Sequence, residues 1–79
     1  MADNAMYEIH RQSLSDQVYY YIKRMILSGA IRGGEKIPEE KVAQQFGVSR
    51  TPIREALNRL EEYGLITIKP RSFAVVVAL

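Results

Sequence analysis

The stretch GVSRTPIREALNRLEEYG, residues 47 to 64, decides how the chain folds. Gly47 supplies the backbone freedom of a tight turn. Ser49 is a residue type that caps helices, and Pro52 falls in the first turn, where a missing N–H costs nothing. Ile53, Ala56, Leu57 and Leu60 then follow the three-four spacing of a buried helical face, and Gly64 closes the helix after Tyr63. At about 100° per residue, with Arg50 at zero, Arg54 falls near 40°, Asn58 near 80° and Thr51 near 100°. The apolar set centres near about 290°, on the other side of the same helix. This helix, about 50–63, therefore presents arginine, threonine and asparagine outward. Cations in a first turn oppose the helix dipole. A sequence that keeps Arg50 and Arg54 there either leaves them solvated or offers them to an anion.

Upstream, EEKVAQQF predicts a short helix over 39–46, with Val42, Ala43 and Phe46 on one face. Ala43, Gly47 and Ile53 have the spacing of a helix-turn-helix: a small residue for close approach, a glycine for the turn, an apolar residue between the helices. Further upstream, Ser13 and Asp16 form a short-armed capping box ahead of a helix that Gly29 stops. Its expected core stripe is Leu14, Val18, Tyr21 and Met25. IRGGEKIP reads as a loop, with Gly33 and Gly34 allowing positive φ. Downstream, LITI and FAVVV flank KPRS, the pattern of a hairpin spanning about 65–77. The expected fold is mainly α with a small β-hairpin, a three-helix winged helix-turn-helix. Its single core joins the stripes with Phe46 and the wing valines.

Composition narrows the function. The 79 residues allow one small domain, residues 13–79, behind a polar leader at 1–12 that reads as flexible. No cysteine is present, and the one histidine, His10, has no second ligand beside it, so neither a metal nor a cofactor is expected. A net charge of +2 and a pI near 9.1 are compatible with a nucleic-acid partner. The apolar run Ala74–Leu79 is too short to span a bilayer, and the N-terminus lacks a signal peptide's hydrophobic core. A cytoplasmic chain is expected. Tyr19, Tyr20 and Tyr21 diverge around their helix and make no stacking platform; Tyr20 joins Leu27 on a separate exposed patch. Glu39, Glu40, Glu61 and Glu62 read as solvated surface. With no nucleophile–base pair and no phosphate loop, the chain does not read as an enzyme.

GVSRTPIREALNRLEEYGLI resembles the signature of the GntR family of bacterial transcription regulators, whose N-terminal domain is a winged helix-turn-helix. QVYYYIKRMILSGAIRGGEKI is similar to that family's first helix and glycine-containing loop, and IPEEKVAQQFG to its second helix. RTPIREAL resembles the FadR-like branch, whose members usually carry an all-helical ligand-binding domain after the winged helix. The resemblance implies binding to a double-stranded DNA operator as a homodimer. It also implies control by a small-molecule effector, held by a domain outside these 79 residues. Residue by residue, it assigns Arg50 and Arg54 to the recognition helix, Ser49 and Thr51 to flanking phosphate and base contacts, and Lys69 and Arg71 to the wing. Asn58 joins them by its shared face.

Two departures stand out. Glu40 occupies the place where many members have a DNA-touching arginine, leaving Lys41 beside it as that helix's candidate contact. Ser72 and Phe73 occupy the place of an Arg-Gly or His-Gly pair in the wing, so the backbone there cannot approach a groove as closely. The rival reading is a winged helix used for protein–protein docking, its charged face solvated.

Overall fold

The apolar periodicities organise three helices and one hairpin: α1 (Leu14–Leu27), α2 (Glu39–Phe46), α3 (Arg50–Glu62), β1 (Ile66–Lys69) and β2 (Phe73–Val76). The computed structural model describes residues 13–70 and 73–78; the leader, Arg71, Ser72 and Leu79 lie outside the described residues.

α1 starts on a reciprocal capping box. The Ser13 hydroxyl accepts from the Asp16 N–H at 3.1 Å, and the Asp16 carboxylate accepts from the Ser13 N–H at 3.4 Å. Its buried face differs from the expected stripe. Val18, Tyr19 and Ile22 are buried, Tyr21 and Met25 only partly so, and Leu14 is 51% exposed. The helix is thus turned by somewhat less than one residue's roughly 100° step from the expected phase. Three consecutive tyrosines make neighbouring phases equally apolar, and α3 breaks the tie. The Arg59 guanidinium stacks 4.0 Å from the Tyr19 ring centroid and donates to Asp16 at 2.6 Å, drawing that side of α1 inward.

α2 and α3 meet at Gly47, whose φ of 65° is left-handed and lets the Val48 N–H return to the Ala43 carbonyl at 3.0 Å. Ile53, Ala56, Leu57 and Leu60 on α3 are the buried residues expected, none more than 2% exposed. They pack with Val42, with the buried face of α1, and with Ile66, Ala74 and Val76 of the hairpin.

β1 and β2 pair antiparallel, from Ile66↔Val76 to Lys69↔Phe73. The segment expected to be a plain loop lies along the other edge of β2. The Gly34 and Ile37 N–H groups donate to the Val76 and Ala74 carbonyls at 2.8 and 2.9 Å, and the Val76 N–H donates to the Glu35 carbonyl at 2.9 Å. Lys36 bridges Val75, so residues 34–37 act as a short third strand and bury Ile37. The two glycines before it differ in role. Gly34 takes a φ of 86°, whereas Gly33 is needed for space, because a Cβ there would stand 3.0 Å from the Ala78 Cα.

The Arg59 hydrogen bond holds the Asp16 carboxyl below the ordinary carboxylate range. A depressed folded-state pKa adds stability above the unfolded value, and that stability is lost as pH falls through the folded value. Asp16→Asn keeps a capping oxygen but not the charge. In urea titrations it should be less stable than wild type at pH 7, with the gap closing below about pH 4. The gap should be small, because both side chains are more than a third exposed and solvent screens the pair. A gap unchanged between pH 7 and pH 2.5 would assign the bond no electrostatic role.

Candidate nucleic-acid interface

Burial of one arc of α3 leaves the other outward. Arg50, Thr51 and Asn58 are exposed there, and Arg54 is half-buried beside them. Ser49 is the N-cap in extended conformation, but its side chain makes no capping hydrogen bond. The first turn of α3 contains no acid, whereas α1 has Asp16 and α2 has Glu39 and Glu40 in theirs. The N-terminal N–H groups of α3, the exposed Ser49 and Thr51 hydroxyls and the Arg50 guanidinium therefore stand together with no acid from the helix's own first turn. Such an end attracts anions.

Arg50 has one loose partner. Its Nη2 lies 3.8 Å from Glu40 Oε1, with the side chains 68% and 83% exposed. Exposed pairs of this kind contribute at most about 1 kcal/mol, so Arg50 is readily recruited by a ligand. Arg54 makes no ion pair among the described residues. Lys41 is exposed, but it lines a separate groove with Tyr21, Glu35 and Gln45 between α1 and α2. Ser49, Arg50, Thr51, Arg54 and Asn58 are thus gathered on one helix. Lys41 stands apart, and Glu40 approaches Arg50 in its place.

The wing supplies the second cationic element. Lys69 is exposed at the end of β1, cross-strand from Phe73. The half-buried Phe73 ring has the Lys36 ammonium 4.5 Å from its centroid. Lys36 is not among the candidates that the sequence offers, because its segment reads as loop. The alternation of exposed Lys36 with buried Ile37 was the available signal. Arg71, the other expected wing cation, lies outside the described residues. Glu61 also departs from its reading as plain solvated surface. Its Oε2 accepts from the Ile68 N–H at 2.8 Å and ties the last turn of α3 to β1.

A helix with a polar, cationic outer face, preceded by a glycine turn and followed by a basic hairpin, defines a winged helix-turn-helix of the DNA-binding class. Residues 14–76 match the model of the bacterial regulatory proteins of the gntR family. The chain is 43% identical over 63 residues to the HTH-type transcriptional regulator YdhC of Bacillus subtilis, covering 80% of this chain and 28% of that protein. It is 40% identical over 60 residues to the HTH-type transcriptional repressor RspR of Escherichia coli, covering 76% and 26%. Among solved structures, the N-terminal domain of AraR in complex with mutant ORR3 superposes with a TM-score of 0.78 at 35% identity, over 86% of this chain and 99% of that one. McbR/YncC of E. coli gives 0.77 at 32% identity, over 86% and 32%. The chain belongs to the GntR family of bacterial regulatory proteins, and the matched residues are its DNA-binding winged helix-turn-helix. It spans little more than a quarter of the length of these curated relatives. No helix among the described residues is long and apolar enough to cross a membrane.

The Glu61 bond makes a prediction about the wing. Glu61→Ala should loosen β1 from α3 and weaken binding to all duplexes alike, while Glu61→Gln, whose amide oxygen still accepts, should bind nearly as wild type. Fluorescence anisotropy on one specific and one random duplex measures both. Equal losses in the two variants would mean that the charge matters and the hydrogen bond does not.

Proposed function

We infer that this domain recognises a double-stranded operator by laying α3 in the major groove and resting the wing on the adjacent backbone. The observation that carries this reading is the sharing of one outward arc of α3 by Arg50, Thr51, Arg54 and Asn58, on a helix whose own first turn holds no acid. Arginine donates in pairs to guanine O6 and N7, and asparagine pairs with adenine N6 and N7. Arg50, Arg54 and Asn58 are accordingly assigned to base edges, with Thr51 and Ser49 flanking them on base and phosphate. Lys69 and Arg71 hold backbone phosphates from the wing, and Lys41 adds a phosphate contact from α2. Such contacts fix position without reading sequence.

The RTPIREAL stretch supports membership of the FadR-like branch. By that resemblance the full regulator is a homodimer, with an effector domain that takes a small molecule and alters operator affinity. The name of RspR supports repression as the output. An operator-binding regulator works in the cytoplasm and needs no catalytic group or cofactor. Use of the fold for protein docking alone would leave the cationic face of α3 without a partner, and family membership does not favour it.

Arg54→Ala should lower affinity for the best site by roughly 1–3 kcal/mol and affinity for random duplex by much less. Lys69→Ala should weaken both about equally and reduce the dependence of log K on log salt by roughly one unit. Anisotropy titrations at two salt concentrations separate the two patterns. Equal losses on both duplexes for Arg54→Ala would make that residue a phosphate contact and remove it from base readout.

A further inference from the structure

We propose that Glu40 is a specificity-determining residue, which reads an exocyclic amino group, cytosine N4 foremost, beside the base taken by Arg50. This rests on the reading of α3 as the DNA-reading helix.

Glu40 lies in the first turn of α2 and Arg50 in the first turn of α3, with Oε1 and Nη2 3.8 Å apart. The pair is poorly suited to a structural role. It is long, both side chains are mostly exposed, and the α2 dipole already has Glu39. Base pairs follow one another at about 3.4 Å, so an Arg50 engaged on a base edge brings the Glu40 carboxylate to the same pair or the next. An ionised carboxylate only accepts hydrogen bonds, and it repels phosphate. In the major groove the donors open to it are the amino groups of cytosine and adenine. Guanine offers O6 and N7, and thymine O4 and a methyl group, all of which reject it. Cytosine suits it best, because adenine sets its N7 acceptor beside the amino group.

Arg50 makes such an intrusion tolerable. Its planar guanidinium carries five N–H donors, enough to hold guanine O6 and N7 along one edge and Glu40 along another. The carboxylate thus enters the groove already paired. Its main effect is to exclude wrong bases, a repulsive element beside an attractive one.

Site selection from randomised duplex, with the wild-type chain, Glu40→Ala and Glu40→Gln, tests this. Wild type should select cytosine at one position next to an Arg50-dependent guanine, and thymine there should cost it about tenfold in affinity. Glu40→Ala should lose that preference and keep every other position. Glu40→Gln should shift the preference to adenine, which glutamine pairs with through N6 and N7. If Glu40→Ala tightens binding to all duplexes and leaves the consensus unaltered, Glu40 only repels phosphate and the proposal is wrong. An unchanged consensus with unchanged affinity overturns it equally. If the wild-type chain selects no sequence, the reading of α3 falls first and this inference with it.

Discussion

Burial of a single arc of α3 governs everything else in this fold. Ile53, Ala56, Leu57 and Leu60 are all but inaccessible, enclosed by α1, Val42 and the hairpin. Exposing one buried leucine or isoleucine costs roughly 1.5–3 kcal/mol, so α3 cannot rotate about its axis without large loss. The outward direction of Arg50, Thr51, Arg54 and Asn58 follows from that constraint. Three local ties keep the helix in register: the left-handed Gly47 turn at its start, the Arg59 contact with Asp16 and Tyr19 along its length, and the Glu61 bond to Ile68 at its end.

The electrostatic design is local rather than global. A net charge of +2 produces little long-range field, so recruitment of DNA depends on where the cations stand. Acids stand in the first turns of α1 and α2, whereas the first turn of α3 has none of its own and meets only the loose Glu40 contact to Arg50. Lys69 and Lys36 sit on either side of Phe73, which leaves the wing cationic although an aromatic ring stands where a glycine would allow closer backbone approach.

The parts of the fold legible from sequence were those decided locally. α2 and α3 each end at or just before a glycine and are strongly amphipathic, and the four buried residues of α3 follow from spacing alone. On the expected face of α2, Val42 is buried and Ala43 and Phe46 only partly so. α1 is different. With Tyr19, Tyr20 and Tyr21 in succession, hydrophobicity does not choose a phase, and a tertiary contact from Arg59 places Tyr19 inside and Leu14 outside. The strand-like segment at 34–37 reads as loop because its pairing exists only once β2 is beside it. In the site, residues sharing α3 were legible from angle. The separation of Lys41 from Arg50 depends on how the short α2 packs, which no periodicity encodes. Glu61 reads as solvated for the same reason, since its partner N–H belongs to a different element.

Titration of a uniformly 15N-labelled chain with operator and random duplexes, followed by amide chemical shifts, tests most directly whether α3 is the reading face. Shifts specific to the operator should concentrate at Ser49, Arg50, Thr51, Arg54 and Asn58, with shifts at Lys69 common to both duplexes. Perturbations centred instead on Tyr20, Lys23 and Leu27, with α3 unmoved, would contradict it and make the outer face of α1 the binding surface.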